Sequence, residues 1–394
     1  MVEDSTVARL LTPEDIDGER QREAKALARL SHRLLALEMA LGGCFMLALL
    51  GSGLSGVWKR WALTWTSRPV LVVAAYFLLL YVTYTVVTSP LEYYGGFRLP
   101  HRFGLSNQTL GGWLTDQVKG GLIGLGLGLL IVEVVYYLLR GMPDLWWLVT
   151  AVFMLLFTVI LASLTPVLLV PLFYKLTPLD DEELKARLER LAQRADTSVR
   201  GVYTVNLSSR SKAANAMVMG LGSTRRIALG DTLYKDYQPD EIEAILAHEL
   251  GHQARHDLWW GLAVQSVLTL VGLYLAHVAL SWGVRILGFS GPEDVSAMPF
   301  LALLMGAFLA VATPLANAFS RWRERMADDY ALRITGKPAA FVSAMVRLAN
   351  QNLADVDPER WVELLLHSHP ALGKRIRRGQ SMLRTDTGAL MAEG

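Results

Sequence analysis

The sequence predicts an α-helical polytopic membrane protein of about six spans with a small α+β unit set between and after them. Three observations carry this reading. Of 394 residues, 52% are hydrophobic, and the mean hydropathy of +0.31 is high for a soluble chain. The apolar residues are clustered: Val70–Thr88, Leu145–Phe173, Leu258–Val284 and Met298–Phe319 contain no Asp, Glu, Lys or Arg. Each exceeds the roughly 18 residues that cross a hydrocarbon core. Between the fourth and fifth spans stand short β-branched runs, followed by a helical pattern that contains His248-Glu249-Leu250-Gly251-His252.

Residues 1–33 mix acids and bases around no apolar core, so a cytosolic or interfacial segment without a cleavable signal peptide is expected. The transmembrane region 34–173 then holds four spans. The first is Leu34–Val57, interrupted by Glu38, and the third is Gly120–Leu139, interrupted by Glu133. Gly120, Gly121, Gly124, Gly126 and Gly128 lack the spacing of a dinucleotide loop; small residues on a span that packs closely explain them better. Residues 174–257 form the soluble region, with a surface helix over Asp180–Ala195 and strands over Gly201–Asn206, Ala216–Met219 and Arg226–Leu229. Gly220–Ser223 is read as the turn between the last two. Two more spans occupy 258–319, and 320–394 completes the soluble unit with a helix over Ser320–Ile334 and a helical tail. Cys44 is the single cysteine, which excludes an intramolecular disulfide.

Six spans put both termini, the soluble region and the tail on one side. Lys25, Arg29, Arg33, Arg98, Arg102 and Lys119 mark that side, against Lys59, Arg60, Arg68, Arg140 and Arg285 opposite, so the soluble side is expected to be cytoplasmic in a cell (inner) membrane. The net charge of +2 comes with no basic tract, and no nucleic-acid partner is expected.

His248 and His252 are four apart, so one helix face presents both imidazoles to one metal ion. Glu249 follows the first of them, where a general base acting on water is needed. Asp240 is read as the cap of this helix, with Glu243 three residues on. A small sheet followed by a metal helix is how zincin-type metalloproteases begin. Zn2+ needs a third protein ligand, and His256, His277, His101 and Glu324 are the candidates. His256 lies two turns from His248, about 12 Å along the axis, with no glycine nearby to break the helix. Glu324 stands where the last span runs into a polar helix, with Asp328 one turn on and placed to hold a ligand histidine. An ordinary solvated helix with weak ion pairs is the alternative reading of that segment.

Several stretches together resemble the integral-membrane zinc metalloproteases of the CAAX prenyl protease family, and more distantly the HtpX-type proteases. They are Tyr94–Pro100, His101–Thr109, Pro166–Leu179, Asn215-Ala216 with Gly220, Arg226–Leu229, Asp231–Leu233, the His-Glu-Leu-Gly-His motif, Asn317–Asp328, and His367–Pro370 with Arg375-Ile376. The resemblance implies one zinc per chain on His248, His252 and Glu324, with Glu249 catalytic. It also implies that His369 steadies the oxyanion, that Asn215, Ala216 and Arg375 bind substrate, and that the spans surround a chamber. Glu133 is expected to face that chamber because an acid facing lipid is costly. This chain lacks the most N-terminal of the family's usual seven spans and the insertion before the metal helix, leaving Asp231 to Glu243 as a short connection. The expected activity is a membrane-embedded zinc metalloendopeptidase acting on CAAX-type or membrane-associated, misfolded proteins. A catalytically inactive metal-binding transporter or scaffold is the competitor. No broken, paired spans support a transporter, and Glu249 is a residue that only chemistry requires.

Overall fold

A computed structural model describes residues 9–220, 222 and 225–392, with the backbone alone over 385–392. Six helices among the described residues are long and apolar enough to cross a membrane. The chain runs α1 (Gly18–Gly51), α2 (Leu54–Trp65), α3 (Pro69–Arg102), α4 (Leu110–Gly141) and α5 (Trp146–Phe173) before the soluble unit begins. Large apolar side chains such as Val86, Leu122, Leu156 and Val311 stay exposed on these helices, as they must where lipid is the solvent.

The first span departs from the expected Leu34–Val57. One helix begins at Gly18, runs through residue 33 without a break and stops at Gly51. Ser52 Oγ bonds back to Ala48 O (2.6 Å), and Gly53 turns left-handed (φ 74°), so Leu54–Trp65 becomes a separate helix. Glycine alone adopts that φ without strain. Gly128 of the glycine run faces Phe77, whose ring would lie 2.8 Å from an added Cβ, so α4 approaches α3 more closely there than any larger residue allows.

The soluble unit follows as β1 (Leu176–Pro178), α6 (Glu182–Arg194), β2 (Val202–Val205), β3 (Ala216–Met219), β4 (Arg226–Gly230), α7 (Asp231–Asp236) and α8 (Pro239–Ala254). The sheet order is β1-β2-β4-β3, with β2 and β4 parallel and the outer pairs antiparallel. Strand β1 was not expected, because Leu-Thr-Pro is short and proline-ended; the proline is tolerated because β1 is an edge. Asp231 to Asp236, read as plain connection, is a helix whose Asp231 Oδ1 accepts from Ser208 N (2.9 Å). Of the turn before β4, Leu221 and Ser223 lie outside the described residues, as does Gly394.

The last helices are α9 (Asp257–Leu287), α10 (Met298–Thr335), α11 (Pro338–Gln351), α12 (Arg360–Leu366) and α13 (Leu372–Ala392). Two cores result. One gathers Leu188, Ile227, Leu229, Ile242, Leu246, Phe341 and Met345, joining the loop and the C-terminal segment into one unit. The other lies between the membrane helices around Tyr76, Tyr136, Trp146, Leu280 and Met298. Residues from distant parts of the chain close the soluble face: Leu11 N donates to Ser343 Oγ (2.6 Å), and Asn107 N donates to Arg210 O (3.0 Å). At the other end of the bundle Lys59 pairs with Asp294 (2.7 Å). A cavity of about 560 Å³ among the membrane helices is lined by Tyr81, Tyr136, Trp146 and Gln265. Glu133, expected to face such a chamber, is not among its lining residues, although its Oε1 is enclosed and without a hydrogen bond.

Candidate metal centre

The centre is built where α8 crosses α10. Helix α8 starts at the proline that Gln238 caps, and Glu241 Oε2 accepts from Gln238 N (2.8 Å). The cap is therefore not Asp240 with Glu243. Pro239 has no N–H to cap and a fixed φ suited to the first helical position, so the start moves back two residues. Asp240 and Glu243 instead take ion pairs from Arg187 on α6 and from Lys337, which lies 3.0 Å from Asp240 and 2.5 Å from Glu243. These contacts fix the rotation of α8 about its axis. At Gly251 an added Cβ would stand 3.2 Å from Ala327 Cα and 3.3 Å from Ala327 O. Backbone cannot move aside as a side chain can, so glycine between the two histidines lets α10 come close enough to deliver Glu324.

Three ligand-type atoms converge. His248 Nε2 lies 3.2 Å from Glu324 Oε2, His252 Nε2 lies 3.3 Å from Glu324 Oε1, and the two Nε2 atoms are 3.2 Å apart. The side chains of His248 and Glu324 are each 7% exposed. Behind them, His248 Nδ1 is 2.8 Å from Asp328 and His252 Nδ1 is 2.7 Å from Asp257. Each aspartate keeps its histidine's proton on Nδ1, leaving the Nε2 lone pairs to face one another and a carboxylate. Glu324 Oε2 is enclosed, with only imidazole nitrogens of His248 and His369 beside it. Such a cluster of acceptors is stable only around positive charge. Burial lowers the His252 pKa, yet the carboxylates of Asp257 and Glu324, as acceptors, outweigh it and push it up to about 10, so the pocket favours positive charge. The residues present fit a bound cation.

Arginines stand behind both aspartates. Arg375 donates from Nη2 (2.6 Å) and Nε (3.0 Å) to Asp328, and Arg323 donates to Asp257 and to Arg255 O (2.7 Å). Arg375, expected at the substrate, is partly buried on the Nδ1 side of His248, with its Nε and Nη2 donors directed at Asp328. Asp257 and Arg323 carry no signal that spacing could have found. Asp257 reaches His252 because the chain turns left-handed at His256 (φ 54°) and restarts as α9. The expectation that no break occurs there fails, since the helix ends without glycine, while His256 is exposed, as expected, and is not among the converging ligand residues. His277 accepts from Trp146 Nε1 (3.1 Å) among the membrane helices, and His101 contacts the carbonyls of Phe97 (2.6 Å) and Gln108 (2.9 Å), so neither joins the centre.

Glu249 is half-buried, and no hydrogen bond ties its carboxylate to another described residue. His369 Nδ1 lies 2.8 Å from Glu324 Oε2, and its side chain is 62% exposed. Its loop is held by Arg321, which donates to Glu363 O (2.8 Å) and His367 O (2.5 Å), a support not anticipated from sequence. His369 also lines a cleft of about 860 Å³ between α1 and residues 353–372. Asn215 is exposed and Ala216 buried at the start of β3, the edge strand that packs beside α8.

Comparison with known proteins accounts for both parts of the chain. Residues 178–382 match the family described as Peptidase family M48, and residues 5–175 match CAAX prenyl protease N-terminal, five membrane helices. The chain belongs to peptidase family M48. An uncharacterized metalloprotease of Bacillus subtilis, YhfN, is 30% identical over 91% of this chain and 84% of its own. CAAX prenyl protease 1 of Saccharomyces cerevisiae is 30% identical over 74% of this chain and 68% of its own. The homolog of Arabidopsis thaliana is 31% identical over 75% and 70%. The crystal structure of S. mikatae Ste24p shares the fold, with a TM-score of 0.84 and 24% identity over 95% of this chain and 93% of that one. This M48 member is therefore an integral membrane metalloendopeptidase, and its family implies a metal cofactor.

Proposed function

We propose that this M48 protein is a zinc endopeptidase with one ion per chain, working at the cytoplasmic face of the cell membrane. The observation that carries this reading is the convergence of His248, His252 and Glu324: the two Nε2 atoms are 3.2 Å apart, and each has its own oxygen of the Glu324 carboxylate at 3.2 and 3.3 Å. Bonds of about 2.0–2.1 Å in a tetrahedral zinc site give edges of about 3.3–3.4 Å. These three residues would hold the ion, which when bound supplies a Lewis acid that polarises the peptide carbonyl and acidifies water.

The chain's own residues do the rest. Glu249, whose carboxylate has no hydrogen-bond partner among the described residues, takes the proton of the attacking water, then delivers it to the leaving amine. His369, anchored through Arg321 and open to the cleft, donates to the oxyanion as the carbonyl becomes tetrahedral. Asp328 and Asp257 hold the imidazoles in the Nδ1–H tautomer; Arg375 beside Asp328 helps to hold that carboxyl below the usual range, and Arg323 pairs with Asp257. Asn215 and Ala216 begin an edge strand with unpaired backbone groups, which suits the addition of an extended substrate.

The names of the relatives point to CAAX-type proteins as one substrate class, with membrane-associated, misfolded proteins as the other. Incubating the purified protein with a prenylated CAAX peptide and with an unfolded membrane protein separates them. Chelator-sensitive cleavage of one or both is expected; no cleavage of either by metal-replete protein would reject the reading. The cytoplasmic orientation rests on the basic residues of the soluble side. Labelling of a cysteine at position 210, in a Cys44-free background, by an impermeant reagent on intact cells would overturn it.

A further inference from the structure

We infer that the protein holds an anionic phospholipid at a cavity, distant in role from the metal centre, where two spans leave the bilayer on the soluble side. The cavity measures about 560 Å³ and is lined by Lys119, Lys175, Arg210 and Arg226, with no acidic residue in its wall. Asp116 is the nearby carboxylate: it accepts two hydrogen bonds from the Arg210 guanidinium (2.7 and 3.0 Å) and is also within electrostatic reach of Lys119. Lys119 spends one N–H on Leu172 O (3.2 Å), and Arg226 lies over the Tyr203 ring (5.3 Å). Four cations against one carboxylate leave the space with a net positive charge, and Lys175 and Arg226 pair with no acid among the described residues.

The depth of this space selects the anion. Lys119 directly precedes the apolar run of α4, and Phe173 ends that of α5. The wall therefore sits at headgroup level, while Val167 and Leu172 carry it toward the hydrocarbon with 61% and 45% of their surfaces exposed. Phosphate below acyl chain is the chemistry this gradient fits, and Lys and Arg stems can lie along the chain while their heads reach the phosphate. A cytoplasmic leaflet supplies such lipids. Lys119, Lys175 and Arg226 belong to a membrane helix, to the linker that leaves another, and to strand β4, so the headgroup would clamp the sheet onto the membrane.

Native mass spectrometry of delipidated protein in detergent tests this with phosphatidylglycerol, phosphatidylcholine and soluble glycerol phosphate. One phosphatidylglycerol should bind tightly, with phosphatidylcholine and glycerol phosphate far weaker. Each near-surface cation is worth roughly five-fold in affinity, so Lys119→Gln with Lys175→Gln and Arg226→Gln should weaken phosphatidylglycerol binding about 100-fold. The charge-matched Lys25→Gln, Arg29→Gln, Arg33→Gln variant should retain it. Single Lys119→Gln and Lys175→Gln variants give the same sign should the triple variant misfold. Unchanged phosphatidylglycerol binding in the variants overturns the proposal. So does glycerol phosphate binding as tightly as the lipid, which would make the cavity a soluble-anion site.

Discussion

His248 and His252 turn their Nε2 atoms toward the same carboxylate, yet their supports are assembled differently. The His248 arm runs through Asp328 to Arg375, with Asp328 only 1% exposed; Asp328 comes from α10, which packs against α8, and Arg375 from α13, which packs against α11. The His252 arm runs through Asp257 to Arg323, and Asp257 comes from the chain's own turn five residues on, at the membrane edge, with 10% of its side chain exposed. One arm is made by tertiary packing, the other by a local break in a helix. The comparison teaches that a metal helix can be terminated not for lack of propensity but to bring a carboxylate back to its last ligand.

The test with the largest expected effect removes what the arms share. Glu324→Ala should leave metal content near zero in the purified protein, while His256→Ala keeps it near stoichiometric. Equal loss in both would show that the wrong third ligand has been chosen. Next come the arms themselves. Loss of a carboxylate behind a metal-binding histidine costs about 10–100-fold in metal affinity. Asp328→Asn should fall at the upper end of that range and Asp257→Asn at the lower, because the second is the more exposed; competition with a chelator reads both, and the reverse order would break the comparison. The smallest effect belongs to the turn. A non-glycine residue in the left-handed region costs roughly 1–2 kcal/mol, so His256→Gly should keep metal affinity and raise stability by up to about 1 kcal/mol. Thermal melting that shows a clear loss would mean that the His256 side chain itself holds the break.

The legibility of the two arms in the sequence follows the same division. Charge-free runs and the His-Glu-Leu-Gly-His spacing are one-dimensional signals, and the six membrane helices and the metal helix lie where those signals stand. Asp328 is visible as a carboxylate one helical turn beyond Glu324. Asp257 is not, because its role depends on a left-handed His256 that no propensity favours. Gln238 was passed over as a cap for a similar reason: Asp240 is the better capping residue, but Pro239 decides where the helix begins. Arg375 is legible only through the C-terminal motif that carries the resemblance, and that motif does not tell that its Nε and Nη2 donate to Asp328.

The central claim is that the cluster is a working peptidase centre in which Glu249 moves protons without holding the ion. Measuring turnover and metal content together on Glu249→Gln tests it most directly. Metal should stay at the wild-type level, and turnover should fall by roughly 10²–10⁴-fold or more, the scale of a lost general base. A metal-loaded Glu249→Gln protein that cleaves at the wild-type rate would contradict the account.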